Sequence, residues 1–259
     1  MRSPKVPLVL LHGWTCGPED FAPQVTEFRR DRETIAPAWG KLINIKLDPA
    51  TAFREVIDQL ADRLPRGAAI AGHSLGSFPA TMLAIRPEVA CRSLLLLDGG
   101  VALRADLRAN LSAFAESLRP CFDAKDEPGL RKIMLPVLRT LFESFFPESD
   151  SGPTRRAIMG RLEQVNPTGA ASQILGALSL PVKDALRAVR APVVAVAPEH
   201  GRMDVDALRK ACPEVRVENV PDAGHFFMLT RPEATCRVLQ RVLERIDIAG
   251  SAKAGDDSA

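Results

Sequence analysis

The most informative stretch of this chain is "AAIAGHSLGSFPA", Ala68 to Ala80. Its first residues form a short apolar run of strand type, and "SFPATMLAI" behind it reads as a helix. Between them stands Gly72-His73-Ser74-Leu75-Gly76, which fits G-x-S-x-G. A strand that turns sharply into a helix holds its central residue in a strained conformation, and only small neighbours avoid a clash there. In return the hydroxyl is exposed at the carboxyl edge of a sheet, over a helix N-terminus that favours negative charge. Ser74 is therefore the candidate nucleophile. The plain alternative is a structural elbow, since Gly and Ser are common in loops.

Outward from this point, apolar runs ending in turn residues recur. They are "VPLVLLHG", "ETIAPAWG", "SLLLLDGG", "PVVAVAPEHG" and "VRVENVPDAGH". Amphipathic segments separate most of them: Phe53, Val56, Ile57, Leu60 and Leu64 form one stripe, and Val238, Leu239, Val242, Leu243 and Ile246 another. Strands that are apolar throughout, alternating with helices, predict an α/β fold with a mostly parallel sheet covered on both faces. Between Gly100 and Arg190 the alternation stops and no strand is legible. Leu103, Leu107, Leu111, Phe114 and Leu118 share a helical face there. A second, unusually apolar helix carries Leu130, Met134, Val137, Leu138, Leu141, Phe142, Phe145 and Phe146, with Pro136 expected to bend it. Further helices are predicted over 153–164 and 168–178. The expected division is a core of 1–100 and 191–248, an all-helical insertion of 101–190, and a small, polar, disordered tail of 249–259.

The composition narrows the function. The chain has 259 residues, 46% hydrophobic and 25% charged, enough for one large domain with an insertion. A net charge of +2 argues against nucleic acid or an anionic membrane as partner. The five cysteines have no CxxC pairing and read as reduced thiols. The apolar run near the N-terminus is too short for a signal peptide or a membrane span, so a cytoplasmic location is expected. No Cys/His cluster has ligand spacing and no G-x-G-x-x-G phosphate loop occurs, so neither metal nor organic cofactor is expected.

The four histidines, His12, His73, His200 and His225, all fall at predicted strand ends. His225, past the last strand and before the final helix, is the candidate general base, carried on a loop expected to be mobile. Acyl transfer also needs two donors aimed at an oxyanion. The backbone N–H of Leu75, just after the nucleophile, is one, and that of Trp14, in a turn that Gly13 permits, is the other. His12 and His73 read as packing residues.

The order HG-W, G-H-S-L-G, a carboxylate, and then G-H followed by R-P-E resembles the α/β-hydrolase superfamily over nearly the whole core. The sequence is most similar to its capped carboxylesterases, including the methyl-ester hydrolase type of biotin synthesis. The resemblance implies the α/β-hydrolase fold, a lid over residues 101–190 and a Ser-His-acid mechanism. It also exposes a departure. Where the family pattern resembles G-E-H-D-R, this chain has Pro198-Glu199-His200-Gly201-Arg202, and the aspartate is missing. Some members take the acid from the preceding strand end, which here is Asp98, among them certain lactonases and cofactor-free dioxygenases. Glu199 and Asp204, or a working dyad without an acid, are the alternatives, and a capping aspartate beside two glycines is the plain reading of Asp98.

The expected activity is that of a serine hydrolase acting on a small apolar or aromatic ester, lactone or thioester. Ser74 attacks, His225 moves the proton and Asp98 orients it. Leu138, Leu141, Phe142, Phe145 and Phe146 are the candidates for the pocket wall, with pinning of the lid to the core as their alternative task. Two rivals are a cofactor-free oxygenase on the same fold and a non-catalytic ligand-binding protein. The only partner expected is a small-molecule substrate.

Overall fold

The computed structural model describes residues 5–150 and 152–256, with side chains described to residue 249. Six strands form one sheet: β1 (Leu8–Leu11), β2 (Thr34–Ile35), β3 (Ala69–His73), β4 (Ser93–Leu97), β5 (Val193–Pro198) and β6 (Arg216–Val220). Their spatial order is β2-β1-β3-β4-β5-β6, and every pairing is parallel. Every residue of β1, β3 and β4 is buried, as unbroken apolar runs require when helices cover both faces. The run around Thr34 yields only two strand residues. Pro37 removes a backbone donor just beyond it and ends the ladder.

The helices are α1 (Ala22–Phe28), α2 (Pro49–Arg63), α3 (Ser77–Ala84), α4 (Ala105–Asp123), α5 (Glu127–Glu143), α6 (Pro153–Arg161), α7 (Pro167–Ser179), α8 (Val182–Ala188), α9 (Val205–Ala211), α10 (Phe227–Thr230) and α11 (Pro232–Asp256). Local chemistry starts several of them. In α2, Asp48 accepts from the Thr51 N–H, Pro49 occupies the first turn, and Phe53, Val56, Ile57 and Leu60 are buried along one face. α4 to α8 follow one another between β4 and β5, with no strand among the described residues there. α5 runs through Pro136 without interruption and ends at Glu143, so Phe145 and Phe146 stand beyond it in the connecting turn. α11 carries on to Asp256, where a disordered tail was expected from 249. No proline follows Pro232 to stop it. Residues 257–259 lie outside the described residues.

Polar contacts to two buried carboxylates help tie the insertion to the core. Arg161 pairs with the buried Asp20 at 2.7 Å. The buried Asp150 accepts from Arg231 at 2.7 Å and from the Thr230 hydroxyl at 3.1 Å, just before α11. No helix among the described residues is long and apolar enough to cross a membrane.

Candidate active site

β3 delivers Ser74 and β4 delivers Asp98 in matched register. His73 and Leu97 are cross-strand partners, so Ser74 and Asp98 are the next residues on neighbouring parallel strands. Both adopt positive φ, 51° at Ser74 and 42° at Asp98, in the region L-residues avoid. The flanking glycines make the Ser74 elbow possible. A Cβ on Gly72 would lie 2.5 Å from the Gly76 oxygen, and one on Gly76 would lie 2.2 Å from the Leu11 oxygen. The Ser77 hydroxyl braces the turn by donating to the Ser74 carbonyl at 2.6 Å and accepting from the Val101 N–H at 3.2 Å.

Asp98 is fully buried. Its Oδ2 accepts from His225 Nδ1 at 2.5 Å, and its two oxygens accept from the backbone N–H groups of Arg202 (2.8 and 3.0 Å) and Met203 (2.8 Å). Burial alone would push its carboxyl up. The His225 hydrogen bond, the imidazole's charge and the two backbone donors outweigh that and hold it below its ordinary value. The loop after β5 thus supplies donors instead of an acid. Its own carboxylates are engaged elsewhere: Glu199 accepts from the Asp222 N–H, and Asp204 caps α9 by accepting from the Ala207 N–H. His200 is exposed.

His225 is held firmly, against the expectation of a mobile loop. Its backbone N–H donates to the Phe145 carbonyl at 3.1 Å, its ring lies 4.2 Å from that of Phe145, and it is 3% exposed. His73 Nε2 donates to the His225 carbonyl at 2.9 Å. Burial, followed by the charge of His225, drives His73 well below the ordinary histidine range, so it stays neutral. His12 stacks on Trp39 with ring centroids 5.0 Å apart, and burial lowers it too. Both make packing and hydrogen-bond contacts, and His73 also lines the cavity that holds Ser74.

One cavity is lined by Ser74, Leu75, His225 and the Gly13-Trp14 turn together. The turn is close to the elbow: a Cβ on Gly13 would stand 3.2 Å from Ser74 Cβ. The Trp14 indole points elsewhere and donates to the Ala170 carbonyl on α7 at 2.8 Å. Of the five wall candidates, Leu141, Phe142 and Phe145 line the cavity. Leu138 instead packs inside the insertion, beside Met134 and Leu162, and Phe146 stacks on Phe226 at 5.3 Å. Leu103 just before α4, Leu107 and Leu111 on it, and Ile174 and Leu178 on α7 add to the wall. The α4 stripe was visible as a helical face, but its half-buried leucines gave no sign of which surface they meet. Arg202, a further wall residue, carried no signal in the sequence.

Residues 8–238 match the sequence profile of the alpha/beta hydrolase family. The chain belongs to that family. No curated protein matches the sequence. Among solved structures, this alpha/beta hydrolase is similar to the bromoperoxidase from Bacillus anthracis, at 15% identity and a TM-score of 0.70, covering 93% of this chain and 92% of that one. It is also similar to a malate-bound thermophilic esterase from Thermogutta terrifontis (17%, TM-score 0.67, 93% and 90% covered). A third is the enol-lactonase from Burkholderia xenovorans (14%, TM-score 0.65, 94% of each). At such identities the likeness is one of fold.

Proposed function

We propose that this alpha/beta hydrolase is a serine hydrolase that cleaves a carboxylic ester, lactone or thioester of a small apolar or aromatic substrate. The observation that carries the reading is the Asp98–His225 hydrogen bond beside a serine held at positive φ in the same cavity. With Nδ1 committed to Asp98, His225 keeps Nε2 for proton transfer. Ser74 Oγ bonds to the substrate carbonyl carbon as its proton passes to Nε2. The resulting oxyanion takes hydrogen bonds from the backbone N–H groups of Trp14 and Leu75. Collapse breaks the bond to the leaving group, which receives the proton from His225. Water, deprotonated by the same nitrogen, then releases the acid and frees Ser74. Residues 101–190 act as the lid, and the leucines of α4 accept the apolar part of the substrate at about 1.5–3 kcal/mol per fully buried side chain.

The test is labelling with a fluorophosphonate, read by intact mass. One adduct is expected, absent in Ser74→Ala; a persistent adduct, or none on the wild type, overturns the reading. The strand-end acid also favours a second reading, a cofactor-free oxygenase in which His225 deprotonates a hydroxylated ring. Oxygen consumption in metal-free buffer without ester turnover would select it.

A further inference from the structure

Arg202 is the one residue with a permanently charged side chain on the cavity wall among the described residues. The wall around it is leucine, isoleucine and phenylalanine, with no carboxylate. Its guanidinium is held in place. The backbone N–H anchors to Asp98, an Nη2 group donates to the Ser144 carbonyl at the end of α5, and Cζ sits 5.4 Å from the centre of the Phe145 ring. It is not satisfied, however. Nε is buried with no hydrogen-bond partner, and no carboxylate among the described residues forms an ion pair with the group. Asp98 is near, but its oxygens are occupied by His225 and the two backbone donors. Partial burial disfavours the charge of Arg202, the nearby Asp98 carboxylate favours it, and Arg104, which leads into α4, opposes it. A half-buried guanidinium whose Nε lies out of reach of water and of any acceptor is costly to keep. An arginine fork in that condition suits a carboxylate, which accepts two parallel hydrogen bonds.

We infer that Arg202 is a specificity residue, and that the preferred substrate is an apolar ester carrying a carboxylate at its far end. The inference rests on the hydrolase reading for its chemistry. Phe145 contacts both the His225 imidazole and the Arg202 guanidinium, so only a short apolar spacer separates the carboxylate from the scissile carbonyl. Arg202 holds the anion, the α4 leucines cover the spacer, and the carbonyl reaches Ser74. A substrate carboxylate supplies the acceptor that Nε lacks, and an uncharged ester does not.

The test compares methyl esters of straight-chain monocarboxylic acids with monomethyl esters of dicarboxylic acids of equal length, on the wild type, Arg202→Met and Arg202→Lys. The quantity read is the ratio of kcat/KM between the paired esters within each protein, so a general loss of activity cancels. The wild type should favour the half-ester at one spacer length by about tenfold or more, through KM, with the preference falling as salt is added. Arg202→Met should abolish the preference and Arg202→Lys should keep part of it. Equal turnover of both series by the wild type, or equal losses in Arg202→Met, overturns the inference. Calorimetry on Ser74→Ala, which turns over neither ester, measures the same preference as binding. Equal affinities there sink the role of Arg202 even if the hydrolase reading stands, and a half-ester preference there upholds it even if that reading falls.

Discussion

The ends of β4 and β5 lie side by side and do opposite jobs. β4 ends in Asp98, an unexposed carboxylate that meets an imidazole and two backbone N–H groups. β5 runs into a loop with Gly201 in place of an acid, and that loop supplies the two backbone donors. A Cβ on Gly201 would stand 2.8 Å from Asp98 Oδ1 and 2.9 Å from the Pro198 carbonyl oxygen. A carboxylate on one end therefore requires a bare backbone on the other. Two ionised carboxylates in that space would repel each other and drive one pKa up. The acid's position belongs to the pair of strand ends, and no single motif position decides it.

The largest expected effect tests which end holds the working acid. Asp98→Asn should lower kcat/KM by roughly 10²- to 10⁴-fold, because the imidazole loses its orienting partner. Glu199→Gln and Asp204→Asn should stay near the wild type. A large loss at either of them, with Asp98→Asn active, would break the comparison. The same pair of proteins carries a pH signature. The folded Asp98 carboxyl lies below its ordinary value, first against burial and then through His225 and the backbone donors. Its contribution to stability is therefore complete above about pH 4 and is lost as the pH falls through the folded value. The stability difference between wild type and Asp98→Asn, from denaturant unfolding, should be flat near neutrality and shrink in acid. Growth in acid would reverse the sign.

Next in size is Gly201→Asp, which sets a second carboxylate against the first. It should cost about 1–3 kcal/mol of stability, together with catalytic efficiency. In the Asp98→Asn background the same change should cost less, with a coupling of about 0.5–3 kcal/mol. Additive costs would show that the two ends are independent. The smallest effect is at Asp204, whose task is to cap α9. Asp204→Ala should cost about 1 kcal/mol in thermal unfolding and leave turnover alone.

Much of this was legible in advance wherever the cause is local. The six strand runs, the helical stripes and the interruption between Gly100 and Arg190 follow from short-range patterns of burial. β2 came out short because Pro37 ends its ladder, and Phe145 and Phe146 left the expected helix because it stops at Glu143. The sorting of wall candidates was not legible. Leu138 and Leu141 are one helical turn apart with the same chemistry, yet one fills the insertion and the other faces the cavity.

By itself the sequence determined that Ser74 would stand on a strained elbow. At Gly72 the requirement for glycine is steric and acts within five residues, against Gly76 and Ser77, whereas at Gly76 it is imposed by Leu11 and His12 at the end of β1. It also determined that β1, β3 and β4 would be buried on both faces, because their side chains are apolar without alternation. Only the tertiary structure decided which carboxylate meets the imidazole. Asp98 and His225 are 127 residues apart in the chain. They meet because β4, β5 and β6 are successive neighbours in the parallel sheet, while the docked Phe145 turn holds His225 in place. Arg202 became visible for the same reason. Its charge is ordinary in the sequence, and it acquires meaning only where folding sets it on the cavity wall and buries its Nε without a partner.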